Sequence, residues 1–217
     1  MFSLTDSPDD VTQRYAAMGI RFLVSNAICR VSIVQDGGNL RAFVNLAQTP
    51  LIDFQRTAAV AFSSFSLAQE NRAMLVREGG LAQILACLLF PDLQVQRDCA
   101  FALANVCDSV ELQDAVVREG AIPVLVQIGM SDDARVQREA ARAFSCLSLT
   151  DGLRKPLVDA GSLETMFALS RSMDLACQRF ASLSLANLSA GDIRARLVTE
   201  GMTGPLVFLA RFPDADV

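Results

Sequence analysis

The side chains able to do chemistry in this chain are 24 carboxylates, 18 arginines, one lysine (Lys155) and six cysteines; there is no histidine. Without an imidazole the chain lacks the usual general base near neutral pH. It has no GxxxxGK[ST] loop to cradle phosphate and no GxSxG elbow to expose a nucleophilic serine. Cys29, Cys87, Cys99, Cys107, Cys146 and Cys177 form no CxxC pair, so neither a zinc site nor a cofactor is expected. Cys99 and Cys107 fall on one predicted helix, about 12 Å apart and beyond disulfide reach. The neighbouring Asp132 and Asp133 have nothing near them in sequence to complete a cation shell, and helix capping accounts for them. Catalysis is not expected.

What recurs instead is Gln-Arg, at Gln13-Arg14, Gln55-Arg56, Gln96-Arg97, Gln137-Arg138 and Gln178-Arg179, in steps of 42, 41, 41 and 41 residues. A glycine keeps the same beat at Gly37, Gly79, Gly120, Gly161 and Gly201. Two signals in phase mark an array of supersecondary units. Such arrays share one continuous core and present long binding surfaces, so residues 1–217 are expected to form a single array.

Composition bounds the rest. The apolar fraction is 52%, yet no uncharged apolar stretch approaches membrane-spanning length. From the start, MFSLTDSPDD, with Phe2 where N-myristoylation needs glycine, neither a secretory signal nor that modification is expected. A net charge of −5 argues against non-specific nucleic-acid binding. Free thiols predict a reducing compartment, the cytoplasm first and the nucleus as the alternative.

In the unit from Val116 to Leu149, a helix is expected to end at Glu119, closed by Gly120 in the left-handed region. A second helix opens with Pro123 near its first turn. Ser131-Asp132-Asp133 caps a third, from about Ala134 to Leu149. Counted from the Gln, positions +3, +4, +7 and +10 form its core face: Ala140, Ala141, Phe144 and Leu147. The matching residues are Ala16, Ala17, Ile20 and Leu23; Ala58, Ala59, Phe62 and Phe65; Cys99, Ala100, Leu103 and Val106; and Ala181, Ser182, Leu185 and Leu188. Position +6 is small throughout (Gly19, Ala61, Ala102, Ala143, Ser184), allowing close approach of neighbouring helices.

The turn VREGAIPVLV followed by VQREAARAFSCLSL resembles the armadillo repeat, and FALANVCD and LSLANLSA resemble the end of its third helix. The resemblance covers nearly the whole chain. It implies an all-α fold, a right-handed superhelix of about five three-helix repeats, and is closest to cytoplasmic adaptor arrays of the vacuole-inheritance and β-catenin kind. FPDADV at Phe212–Val217 aligns with FPDLQV at Phe90–Val95, which suggests a fragment of a longer array whose uncapped ends could self-associate.

In armadillo proteins the third helices line a concave groove, and positions +1, +5 and +9 are expected to face it. Position +1 is Arg14, Arg56, Arg97, Arg138 and Arg179. Position +5 is Met18, Val60, Phe101, Arg142 and Leu183. Position +9 is Phe22, Ser64, Asn105, Cys146 and Asn187. The site expected from these columns comprises the five arginines with Phe101, Asn105, Arg142, Leu183 and Asn187. Five layers would accommodate about 15 residues of extended peptide. The expected function is a non-catalytic scaffold for an extended or partly helical, acidic and amphipathic protein segment. The alternatives are a chaperone module for client proteins and an accessory domain of a larger enzyme such as a ubiquitin ligase. A structural role for the Gln-Arg pair, between repeats, is compatible with either. Nuclear-import receptors of this family carry Trp at +5; this chain has no Trp, and lysine-rich ligands are not expected.

Overall fold

The computed structural model describes residues 2–26, 29, 32–33, 40–190, 193–199, 204 and 207. Asp36, Gly37, Glu200, Gly201 and the Phe212–Val217 segment lie outside them. Two compact units divide the chain, residues 1–112 and 113–217.

The first unit opens with a 3-10 turn, Phe2–Asp6, followed by α1 (Asp10–Ser25), α2 (Leu40–Ala47) and α3 (Ile52–Phe65). Then come α4 (Gln69–Arg77), α5 (Gly80–Leu88), α6 (Leu93–Cys107) and a 3-10 turn at Val110–Leu112. In the second unit α7 (Gln113–Arg118), α8 (Ala121–Gly129) and α9 (Ala134–Leu149) form one three-helix repeat. Next follow α10 (Asp151–Asp159), α11 (Ser162–Leu169), α12 (Leu175–Ser189) and α13 (Arg194–Thr199). Among the described residues there is no strand, and no helix is long and apolar enough to cross a membrane.

The repeating glycine does the job its spacing implied. Gly79, Gly120 and Gly161 have φ of +82°, +89° and +77°, in the left-handed region where only glycine avoids a Cβ penalty. Each reverses the chain between a short first helix and the second helix that starts at the next residue.

Third helices begin at aspartate. Asp9, Asp92, Asp133 and Asp174 are N-caps whose carboxylates accept first-turn N–H groups, those of Thr12, Val95, Arg135 and Val136, and Cys177. At α3 the cap is Leu51, with no side-chain bond. The third helix expected in the unit from Val116 to Leu149 matches its forecast bounds, Ala134–Leu149.

In each unit, third helices pack side by side: α1 and α6 against α3, and α9 against α12. The second helices α2 and α5 lie behind α3 and α6, as α8 and α11 do behind α9 and α12. The positions named for the core are buried: Ala58, Ala59, Phe62 and Phe65 in α3, Cys99, Ala100, Leu103 and Val106 in α6, and Ala140, Ala141, Phe144 and Leu147 in α9. Small residues at +6 are buried too, except Gly19, and Leu23 at the end of α1 is only half-buried. Phe43 of α2 meets Phe65 of α3 edge to face at 6.0 Å, an arrangement favoured by the ring quadrupoles.

Candidate functional site

Two rungs of the arginine ladder, Arg56 and Arg138, are built into the packing of successive repeats. In the first unit Arg56 grips Asp92 with two bonds, Nε to Oδ1 at 3.3 Å and Nη2 to Oδ2 at 2.8 Å. Oδ1 of Asp92 also accepts the Val95 N–H at 3.0 Å. In the second unit Arg138 does the same to Asp174, with Nε 3.0 Å from Oδ1 and Nη2 on Oδ2, while Oδ1 accepts the Cys177 N–H at 2.9 Å. One carboxylate thus caps its own helix and binds the guanidinium of the preceding repeat. The arginine bond, above all, holds the Asp92 and Asp174 carboxyls below the ordinary carboxylate value. Arg56 and Arg138 keep 41% and 42% of their side chains exposed, so they edge the surface with their charge already met.

The glutamine of the pair is structural as well. Nε2 of Gln13, Gln55, Gln96 and Gln137 donates to the carbonyls of Thr5, Thr49, Phe90 and Ser131, at 2.7 to 3.0 Å. These carbonyls belong to the chain just before each third helix, where no helical partner exists. The amide therefore fixes how the helix is entered.

The amide column departs from expectation. Asn105 is buried, and its Nδ2 donates to Ser66 Oγ of the preceding repeat at 2.9 Å. Asn187 is half-buried and donates to Ser148 Oγ at 3.1 Å. Ser64 is buried too. Two +9 residues, Asn105 and Asn187, thus bond across the seam to the repeat before; Cys146 is half-buried and Phe22 of α1 is 72% exposed.

Position +5 does reach the surface. Met18 and Leu183 are exposed, and Val60, Phe101 and Arg142 are half-buried. Arg142 is held by Glu139 of its own helix, at 2.7 Å from Nη2. Arg14 and Arg179 are exposed and Arg97 half-buried. A pocket of about 230 Å³ between α1 and α3 is lined by Arg21, Val24, Arg56, Thr57, Val60 and Gln94. Beside it a smaller one of about 130 Å³ includes Met18 and Asp53, and Arg21 lies 3.5 Å from Asp53. The second unit has a larger cavity, about 620 Å³, among Asp151, Arg154, Lys155 and Arg196. Its cations are each paired, Arg154 with Asp151 and both Lys155 and Arg196 with Asp159.

A second set of arginines escaped the sequence reading. Arg72 Nε donates to the Ser66 carbonyl at 2.8 Å, closing the end of α3, while Nη1 reaches Asp108 and Ser109 of the next repeat at 3.1 Å. Arg154 closes α9 in the same way, on the Ser148 carbonyl. Both stand 17 residues after the repeat glutamine, a recurrence visible in the sequence.

The cysteines are free, and burial pushes the Cys99 thiol well up and Cys177 to about 11. Among the described residues no group of three or more metal-ligating side chains is suited to hold an ion.

Residues 68–108 and 109–148 each match the model of the Armadillo/beta-catenin-like repeat. The chain belongs to the armadillo repeat family. A solved engineered protein is 32% identical over 99% of this chain and 89% of its own length, with a TM-score of 0.81. Computationally designed armadillo repeat proteins for modular peptide recognition share 19% identity, with 98% and 92% coverage and a TM-score of 0.85. A designed armadillo repeat protein in complex with the peptide (KR)4 shares 19%, with 99% and 92% coverage and a TM-score of 0.82. No curated protein matches the chain by sequence.

Proposed function

We propose that this armadillo chain is a non-catalytic scaffold that binds an extended or partly helical, amphipathic and acidic segment of a partner protein. The segment lies across the outward faces of the third helices. One observation carries the reading: on side-by-side third helices both the +1 guanidinium and the +5 apolar side chain reach the surface, Arg14 and Met18 exposed and Arg56 and Val60 half-buried in the first unit. Apolar contact supplies the affinity and arginine the sign. Each exposed ion pair adds only about 0–1 kcal/mol, so several must act in register. Three layers about 10 Å apart accommodate roughly nine residues of extended chain. The neighbour that holds (KR)4 is 19% identical, close enough for the fold and too distant to set the ligand's charge. The free thiols support a cytoplasmic protein.

Selection from a random 12-residue displayed-peptide library on the immobilised chain tests the proposal. Enrichment of sequences combining Asp or Glu with Leu, Phe or Ile is the expected result. Enrichment of Lys- and Arg-rich sequences overturns it.

A further inference from the structure

Helix α1 is apolar on two sides. Ala16, Ala17, Ile20 and Val24 are buried against the rest of the first unit. On the opposite side Val11, Tyr15, Met18 and Phe22 are 56%, 69%, 50% and 72% exposed. Their spacing is four, three, four. At 100° per residue they fall within about 60° of one another, pointing away from the core. A helix at the surface of a folded body usually has one apolar stripe. The second stripe has the spacing by which one helix packs its knobs into the holes of another.

We infer that this stripe is the docking seam for a single amphipathic helix of a partner protein, bearing acidic residues along the border of its own apolar seam. The inference rests on the proposed binding of amphipathic segments and specifies what α1 takes. In heptad terms Val11 and Met18 occupy d, Tyr15 and Phe22 occupy a, and Arg14 and Arg21 both fall at g. The e positions are Thr12 and Gly19, which carry no charge. Coiled-coil partners are chosen by these flanks.

A second copy of the chain is the poorer occupant. Antiparallel, its g positions would set Arg14 and Arg21 against their own counterparts. Parallel, they would face Thr12 and Gly19 and form no ion pair. A helix with Glu or Asp in its flanks meets Arg14 directly and competes with Asp53 for Arg21.

Arg14 is suited to the role by its register. Its counterparts Arg56 and Arg138 are held by Asp92 and Asp174. The residue at that place in the repeat after Arg14 is Leu51, a cap without a carboxylate. Arg14 is exposed and makes no ion pair or hydrogen bond among the described residues. Its charge is left for a partner.

The test uses two synthetic 21-residue peptides with Leu at every a and d. One has Glu at every e and g, the other Lys; like-charge repulsion keeps each monomeric at neutral pH. Fluorescence anisotropy on the full chain should show the Glu peptide binding at least tenfold more tightly than the Lys peptide. Circular dichroism should show it gaining helix as it binds. Phe22→Glu with Met18→Glu should abolish that binding while the fold, by circular dichroism, is retained. Arg14→Glu should weaken the Glu peptide several-fold and strengthen the Lys peptide.

Binding of the Glu peptide that is indifferent to all three substitutions sinks the seam on α1 and leaves the general scaffold standing. Failure of both peptides to bind, together with an empty library selection, sinks both. A dimer in analytical ultracentrifugation that Phe22→Glu makes monomeric assigns the stripe to a second copy and overturns the inference.

Discussion

Asp174 serves two repeats at once: its carboxylate caps α12 through the Cys177 N–H and receives the Arg138 guanidinium, 36 residues away, from α9. Replacing it should therefore cost more than an ordinary cap. Asp174→Ala is expected to lower stability by about 1–2 kcal/mol in urea unfolding, most of it from the lost cap. A double-mutant cycle with Arg138→Ala should return a coupling of about 0.2–1 kcal/mol, since both partners remain partly solvated. A coupling of zero would reduce the pair to a coincidence of packing.

The same pairs predict the response to acid. Asp92 and Asp174 have carboxyls lowered from an ordinary 3.8, chiefly by Arg56 and Arg138. The unfolded chain then binds protons more readily than the folded one, so folding stability falls as pH falls. Their contribution is complete above about pH 5 and disappears as pH drops through 3.8 toward the folded values. Urea midpoints measured from pH 6 to pH 3 should decline, and Asp92→Asn with Asp174→Asn should flatten that decline. An unchanged slope would show that other carboxylates govern it.

Leu51 offers the converse experiment. It sits at the N-cap of α3, where the other third helices have aspartate, and makes no side-chain cap bond. Leu51→Asp should supply the missing acceptor to the first turn and raise stability by about 0.5–1 kcal/mol. It would also stand in register with Arg14 as Asp92 stands with Arg56. The expected signature is a higher urea midpoint at neutral pH that vanishes near pH 3, when the new carboxyl is protonated. A midpoint that falls at every pH would mean that the leucine's packing outweighs the cap.

Much of this architecture was readable from the repeat. The 41-residue beat located the left-handed turns at Gly79, Gly120 and Gly161, and the apolar period of the third helix gave its bounds and core. Helical angle alone did not reveal how neighbouring layers interlock. Position +9 lies off the core face of its own helix, yet Asn105 is buried because the preceding repeat's Ser66 packs over it. For the same reason the sequence did not show which rungs of the arginine ladder, Arg56 and Arg138, are taken up between repeats. Their partners lie 36 residues on, at the caps of the following helices, beyond any local pattern. Yet a recurring offset can be read: Arg56 to Asp92, Arg72 to Asp108 and Arg138 to Asp174 all span 36 residues. Aligning the repeats on the residue four before each Gln-Arg glutamine sets Leu51 against Asp9, Asp92, Asp133 and Asp174, and leaves Arg14 without an aspartate at that place in the next repeat.

Gly129 tests how closely the second helices approach. It ends α8, and a Cβ added there would come within 2.5 Å of Thr165 Cγ2 in α11, with Leu169 Cδ1 at 3.4 Å. Here glycine is required by a neighbouring side chain, since Gly129 has no positive φ. Alanine ordinarily favours a helix over glycine by about 1 kcal/mol. In this position the methyl group must push α11 away or force Thr165 from its rotamer, at a cost of about 1–3 kcal/mol. Gly129→Ala should therefore lower the urea midpoint despite its better helix propensity. Adding Thr165→Ser to the Gly129→Ala chain removes the methyl group in the way and should recover part of the loss. If Gly129→Ala is neutral or stabilising, the approach of α8 to α11 is looser than the structure places it.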